Sequence, residues 1–77
     1  MDGPLRGRLE LHSIPGGADI YIDNEYRGTT PAILENLSLT EDLTFELRKR
    51  GFRKVARKVR WRGRRWLKLK ETLKKTR

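Results

Sequence analysis

The sequence predicts an all-β fold, a small antiparallel β-sandwich of about six to seven short strands, and three observations carry that prediction. Apolar and polar residues alternate with a period of two in one segment after another. Gly, Pro and Asn punctuate the chain at short intervals, and no stretch keeps the spacing of a long amphipathic helix. With 77 residues the chain has room for one domain. A domain of that size buries only about 60% of the surface its unfolded chain exposes, so the core must be thin.

Residues 1–7, with Pro4 and two glycines, read as a flexible lead-in. Leu9 and Leu11 then alternate with Arg8, Glu10 and His12 as a first strand, and Pro15-Gly16-Gly17 ends that run. Ala18, Ile20 and Ile22 alternate with polar positions, Asp23-Asn24 supplies a tight reversal, and Glu25 to Thr29 returns as the third strand. Asn tolerates positive φ, as such a reversal demands. Gly28 before Thr29-Thr30-Pro31 marks a bulge or a close backbone approach. Residues 31–39 hold Ile33, Leu34, Leu37 and Leu39 without a period of two, which predicts a connecting loop, with room for a short helical turn, that drops apolar anchors into the core.

Leu43, Phe45 and Leu47 point one way and Thr44, Glu46 and Arg48 the other, a fourth strand reaching Arg50 and ended by Gly51. From Arg53 to Trp61, Val55, Val59 and Trp61 share one parity, with Arg57 the one charge on that side, while Lys54, Ala56, Lys58 and Arg60 share the other. Arg62-Gly63-Arg64 reads as a hairpin-like tip, and the last strand runs from Arg65 to Leu73 with Leu67, Leu69 and Leu73 inward. A helix over residues 66–75 is the local rival, since Lys, Leu and Glu are good helix formers, but the alternation favours a strand. Residues 74–77 form a basic tail.

The series Pro15-Gly16-Gly17-Ala18, then Ile20 and Ile22, then Asp23-Asn24, then Gly28-Thr29-Thr30-Pro31, and downstream the strand Thr44-Phe45-Glu46-Leu47 running to Gly51-Phe52, resembles the PEGA domain family from about residue 8 to 73. Asn24 stands where that family usually has Gly, and the loop Ser38 to Asp42 lacks the Gly that commonly precedes the middle strand. The resemblance implies a transthyretin-like (prealbumin-like) Greek-key sandwich, in which Pro15, Gly17, Ala18, Ile20, Ile22, Asp23, Asn24, Gly28, Thr30, Pro31, Gly51 and Phe52 are the structural motif. It also implies an accessory module of a larger bacterial or archaeal protein, of the kind found beside kinase, surface-layer and envelope domains.

Enzyme chemistry fails on inventory. The single histidine, His12, adjoins Ser13 on a strand where neighbouring side chains face opposite ways, so the two make no nucleophile and base pair. Asp19, Asp23 and Glu25 lack the ligand spacing of a calcium loop, and Gly16-Gly17 and Gly28-Thr29-Thr30 open no helix that would hold a phosphate. The expectation is a non-catalytic module with no metal, cofactor or small-molecule substrate. No apolar run approaches the ~20 residues that cross a bilayer, and the first residues lack the shape of a signal peptide, so the compartment stays open. Cysteine is absent, so packing without disulfides must hold the fold.

Charge is the one functional signal. Residues 1–42 carry three arginines against eight acidic residues, a balance of −5, whereas residues 43–77 carry sixteen Lys or Arg against two, a balance of +14. Strand parity predicts that Arg48, Arg50, Lys54, Lys58, Arg60, Lys68 and Lys70 share one outer sheet face with Trp66, flanked by an arginine tip at Arg60, Arg62, Arg64 and Arg65. Such a face suits an acidic protein or envelope polymer. The alternative is a nucleic acid, with phosphates on the cations and a base on Trp66. The plainest reading is a solvated face whose lysines guard the sheet against edge pairing.

Overall fold

The computed structural model describes residues 6–76, and every regular element in that range is a strand. In chain order these are β1 (Arg6–Ile14), β2 (Asp19–Ile22), β3 (Glu25–Thr29), β4 (Ala32–Ser38), β5 (Leu43–Arg48), β6 (Val55–Val59) and β7 (Trp66–Thr72). They form a three-stranded sheet ordered β4-β1-β7 and a four-stranded sheet ordered β3-β2-β5-β6, so the chain changes sheet four times. The core lies between the sheets, where the alternating positions meet: Leu9 and Leu11 from β1, Ile20 from β2, Phe45 and Leu47 from β5 and Val59 from β6 are all buried. The sandwich and the inward parity of these strands are as the sequence predicts, and the last segment is a strand, not the rival helix.

One pairing departs from the antiparallel expectation. β7 runs parallel to β1, with register from Arg8↔Trp66 to Ile14↔Thr72. Arg62 (φ +51°) and Gly63 (φ +82°) do make a tight turn, closed by the Arg64 N–H on the Trp61 carbonyl at 2.9 Å. That turn joins no hairpin, because β6 is the edge of the larger sheet and β7 the edge of the smaller. Leu67, Leu69 and Leu73 can be covered only by crossing to the other sheet.

The segment read as a connecting loop is β4. Its alternation is broken by a bulge: Gly7 and Leu9, two apart on β1, face Leu37 and Leu34, three apart on β4. Asn36, at φ +61°, lies within the inserted turn of backbone. The bulge puts both Leu34 and Leu37 on the core side, which is why no period of two was visible. In the loop that follows, where the family's glycine is missing, the Ser38 hydroxyl accepts from the Thr40 N–H at 3.3 Å and pairs with the Thr40 hydroxyl at 2.9 Å.

The strand limits also shift at the chain's ends. β1 begins at Arg6, so Arg6 and Gly7 belong to the sheet; residues 1–5 of the expected lead-in lie outside the described residues. A Cβ on Gly7 would meet Leu39 at 2.5 Å and Trp61 at 2.9 Å, so glycine here is what lets the Trp61 ring close over β1. β5 stops at Arg48 and not Arg50, because Lys49 to Phe52 form a turn closed by the Phe52 N–H on the Lys49 carbonyl, with Gly51 at φ +85°. Residues 74–76 of the expected basic tail are tied down: the Arg53 N–H bonds the Lys74 carbonyl at 2.8 Å and the Thr76 N–H bonds the Gly51 carbonyl at 3.0 Å. Arg77 lies outside the described residues.

The glycine and proline motif organises one corner. Asp23 (φ +50°) and Asn24 (φ +69°) make the two-residue reversal between β2 and β3. Gly28, at φ +114°, sits in a bulge where Asp19 and Tyr21 face Thr29 and Tyr26. Nothing lies within 4 Å of its missing Cβ, so the bulge is present and the close approach is not. Thr30 is the buried polar residue of the core. Its hydroxyl accepts from the Ala18 N–H at 2.9 Å and donates to Ser13 Oγ at 2.6 Å, while the Ser13 hydroxyl donates to the Pro15 carbonyl at 2.8 Å. The Thr30 backbone completes the clamp, its N–H on the Ala18 carbonyl and its carbonyl accepting from Gly17, both at 2.9 Å.

Thr30→Val preserves the shape and orphans the buried Ala18 N–H, so chemical denaturation should show a loss of about 1–3 kcal/mol, with Thr30→Ser retaining most of the stability. Gly7→Val forces Trp61 and Leu39 apart and should cost a further ~1–3 kcal/mol by overpacking, accompanied by a change in tryptophan fluorescence.

Candidate partner-binding surface

The cations read from the sequence as one sheet face fall into three groups, because the strands that carry them belong to different sheets. Arg48 and Lys54 lie at the β5–β6 end of the four-stranded sheet, Arg50 sits in the turn after β5, and Lys68 and Lys70 project from the three-stranded sheet. The outer faces of two stacked sheets point in opposite directions, so a single basic face does not form. Parity was right for each strand; the assignment of strands to sheets was missing.

The first group is locally neutralised. On β5 the Arg48 guanidinium bonds Glu46 at 2.6 and 3.0 Å and lies 4.1 Å over the Tyr21 ring, which meets Tyr26 edge-on at 5.7 Å between centroids. Lys54 approaches the same carboxylate at 3.9 Å. The Arg48 hydrogen bond holds the Glu46 carboxyl below its ordinary range, against the opposing effect of desolvation. The same bond raises Arg48. This network is a stacked cross-strand ladder.

Most of the remaining cations of that predicted face lie on β6, β7 and the turn between them. β3 and β4 adjoin each other on one side of the sandwich; on the other, the backbones of β6 and β7 stand apart and Arg57 of β6 reaches Glu71 of β7 at 3.4 Å. On these two edge strands and the turn between them Lys58, Arg60, Arg62, Arg64, Arg65, Lys68 and Lys70 are all exposed, Lys58 on the outer side of the larger sheet and Lys68 and Lys70 on the outer side of the smaller. Among the described residues none of these seven forms an ion pair, but Lys68 stands opposite Glu10 on β1 and helps to lower that carboxyl, and Asp42 lines the same cleft as Arg60, Arg62, Arg64 and Arg65. Asp23 and Glu25 sit at the β2–β3 reversal, toward the opposite edge of the larger sheet, whereas Glu35 of β4 shares an open cleft with Arg8, Arg65 and Trp66.

Trp66 is 59% exposed, on the lysine side of β7 as its parity predicts. Arg8 lies over its ring at 5.7 Å and pairs with Glu35 at 3.4 Å. Arg8 went unrecognised as a neighbour of Trp66 because only the β1–β7 pairing brings together residues so far apart in sequence. His12 is bonded to Glu10 at 2.6 Å, and that bond lowers the Glu10 carboxyl. Ser13 belongs to the Thr30 corner, so the two side chains serve separate networks.

A carboxyl whose pKa is lowered by folding lends stability that is complete above its unfolded value and is lost as pH falls through the folded one. Carboxyl NMR should place the Glu46 midpoint below that of an ordinary glutamate, and Arg48→Ala should move it upward; an unmoved midpoint would show that Arg48 is not the cause.

The protein-family comparison matches residues 6–77 to the PEGA domain, covering all seven strands and the Thr30 corner. No curated protein and no solved structure matched the chain. The match spans well over half of the sequence and agrees with the motif that the corner explains, and the chain belongs to the PEGA domain family.

Proposed function

We propose that this PEGA domain is a non-catalytic interaction module that binds an acidic protein or envelope polymer through its β6–β7 flank. The observation that supports this is the excess of exposed cations on β6, β7 and the turn between them: Lys58, Arg60, Arg62, Arg64, Arg65 and Lys70 form no ion pair among the described residues, and near them stand only Asp42, in the cleft of the turn arginines, and Glu10, beside Lys68. A neutralised surface offers a partner little. Such an excess attracts polyanions at long range and holds them through many weak contacts.

The test is a fluorescence-anisotropy titration of labelled poly-L-glutamate at two salt concentrations, with a labelled mixed-sequence oligonucleotide as the competing class. Replacing Arg60, Arg62 and Arg64 with Gln should weaken poly-L-glutamate binding about tenfold, since each exposed ion pair contributes little alone. Asp23→Asn with Glu25→Gln on the far side should leave it unchanged. Equal binding by the flank variant and the unmodified chain would refute the assignment. Oligonucleotide binding that survives 150 mM salt, in a regime where phosphate contacts are strongly weakened, and disappears in Trp66→Ala would move the function to nucleic acid.

A further inference from the structure

We propose that the partner engages as an extended, acidic strand that adds to the free edge of β7. This rests on the reading above and specifies how that flank is used. Each of the two sheets ends in two edge strands, and three of the four edges are blunted. β3 is interrupted by the bulge at Gly28, β4 by the bulge at Asn36, and β6 is five residues long with Arg57 turned inward. β7 differs. Its seven residues keep an unbroken register with β1, contain no Gly or Pro, and pair on one side only among the described residues.

The surroundings of that edge fit an added strand. Leu67 and Leu69 are only partly buried, although they pack on the core. An open cleft of about 220 Å³, lined by Val55, Arg57, Thr72 and Lys74 among others, lies at the C-terminal end of that edge, just before the Arg53 N–H closes it on the Lys74 carbonyl. The larger sheet has one strand more than the smaller, so an eighth strand on β7 would make the two equal. Its inward side chains would lie beside Leu67 and Leu69 and prefer to be apolar; its outward ones would lie beside Lys68 and Lys70 and prefer to be carboxylates. The occupant is therefore a segment alternating apolar and acidic residues, held by main-chain hydrogen bonds and selected by charge. A second copy of this chain is the poorer occupant, because β7 against β7 would set Lys68 and Lys70 against their own like charges.

The probe is a synthetic ten-residue peptide alternating Val and Glu, compared with the same peptide N-methylated at alternate amides, which keeps the charge and removes the edge donors. On binding the first peptide, hydrogen exchange should slow at the alternate β7 amides turned away from β1, those of Lys68, Lys70 and Thr72; the N-methylated peptide should bind at least tenfold more weakly, and Lys68→Glu with Lys70→Glu should abolish binding. If both peptides bind equally, with salt dependence and no added protection in β7, strand addition is wrong while the charged flank stands. If neither binds at low salt, both readings fall. Slowed exchange in β7 on concentrating the protein alone would overturn the acidic strand in favour of self-pairing.

Discussion

A single buried hydroxyl holds the two crossings on which this sandwich turns. The chain leaves the smaller sheet between β1 and β2 and re-enters it between β3 and β4, and Thr30 bonds those two connections to each other through both its side chain and its backbone. In a core this thin an unpartnered backbone N–H at Ala18 would be expensive, and the relay from Ala18 through Thr30 and Ser13 to Pro15 leaves each group satisfied. Gly28 contributes by adopting a backbone angle closed to other residues, which turns the chain into the corner.

The same fold sorts the charge. Where cations meet carboxylates on neighbouring positions, as with Arg48 and Glu46 or Arg8 and Glu35, they are absorbed into the sheet surface. On β6, β7 and the turn between them the carboxylates are few: Glu71 is engaged by Arg57, Glu10 stands beside Lys68, Asp42 lies among the turn arginines, and the cations outnumber them. Glu71 and Arg57 are inward-pointing charges at sheet edges, a pattern that opposes indiscriminate strand pairing. A flank guarded in this way admits a strand of complementary charge more readily than a neutral one.

Much of the fold was legible because strand parity and turn chemistry are local. Asp23-Asn24 reversed the chain and Phe45 and Leu47 faced the core as their local pattern demanded, and Gly51 marked the turn after β5 though not the strand's last residue, which is Arg48. β4 was not legible, because one inserted residue at Asn36 shifts the phase of its leucines and erases the period of two. The surface was half legible: the outward parity of Lys68 and Trp66 could be read along their own strand, but Arg8 beside Trp66 could not, since nothing in either segment names its partner.

The amino-acid sequence by itself determined the fold class, the Thr30 motif, the inward face of each strand and the excess of positive charge in the second half. The tertiary structure alone decided which strands share a sheet. The turn at Arg62-Gly63 has the same local geometry whether it closes a hairpin or carries the chain across, and the choice rests on where Leu67, Leu69 and Leu73 find cover. That choice made β7 the parallel partner of β1, and so converted a supposed basic face into a basic flank with an open strand edge.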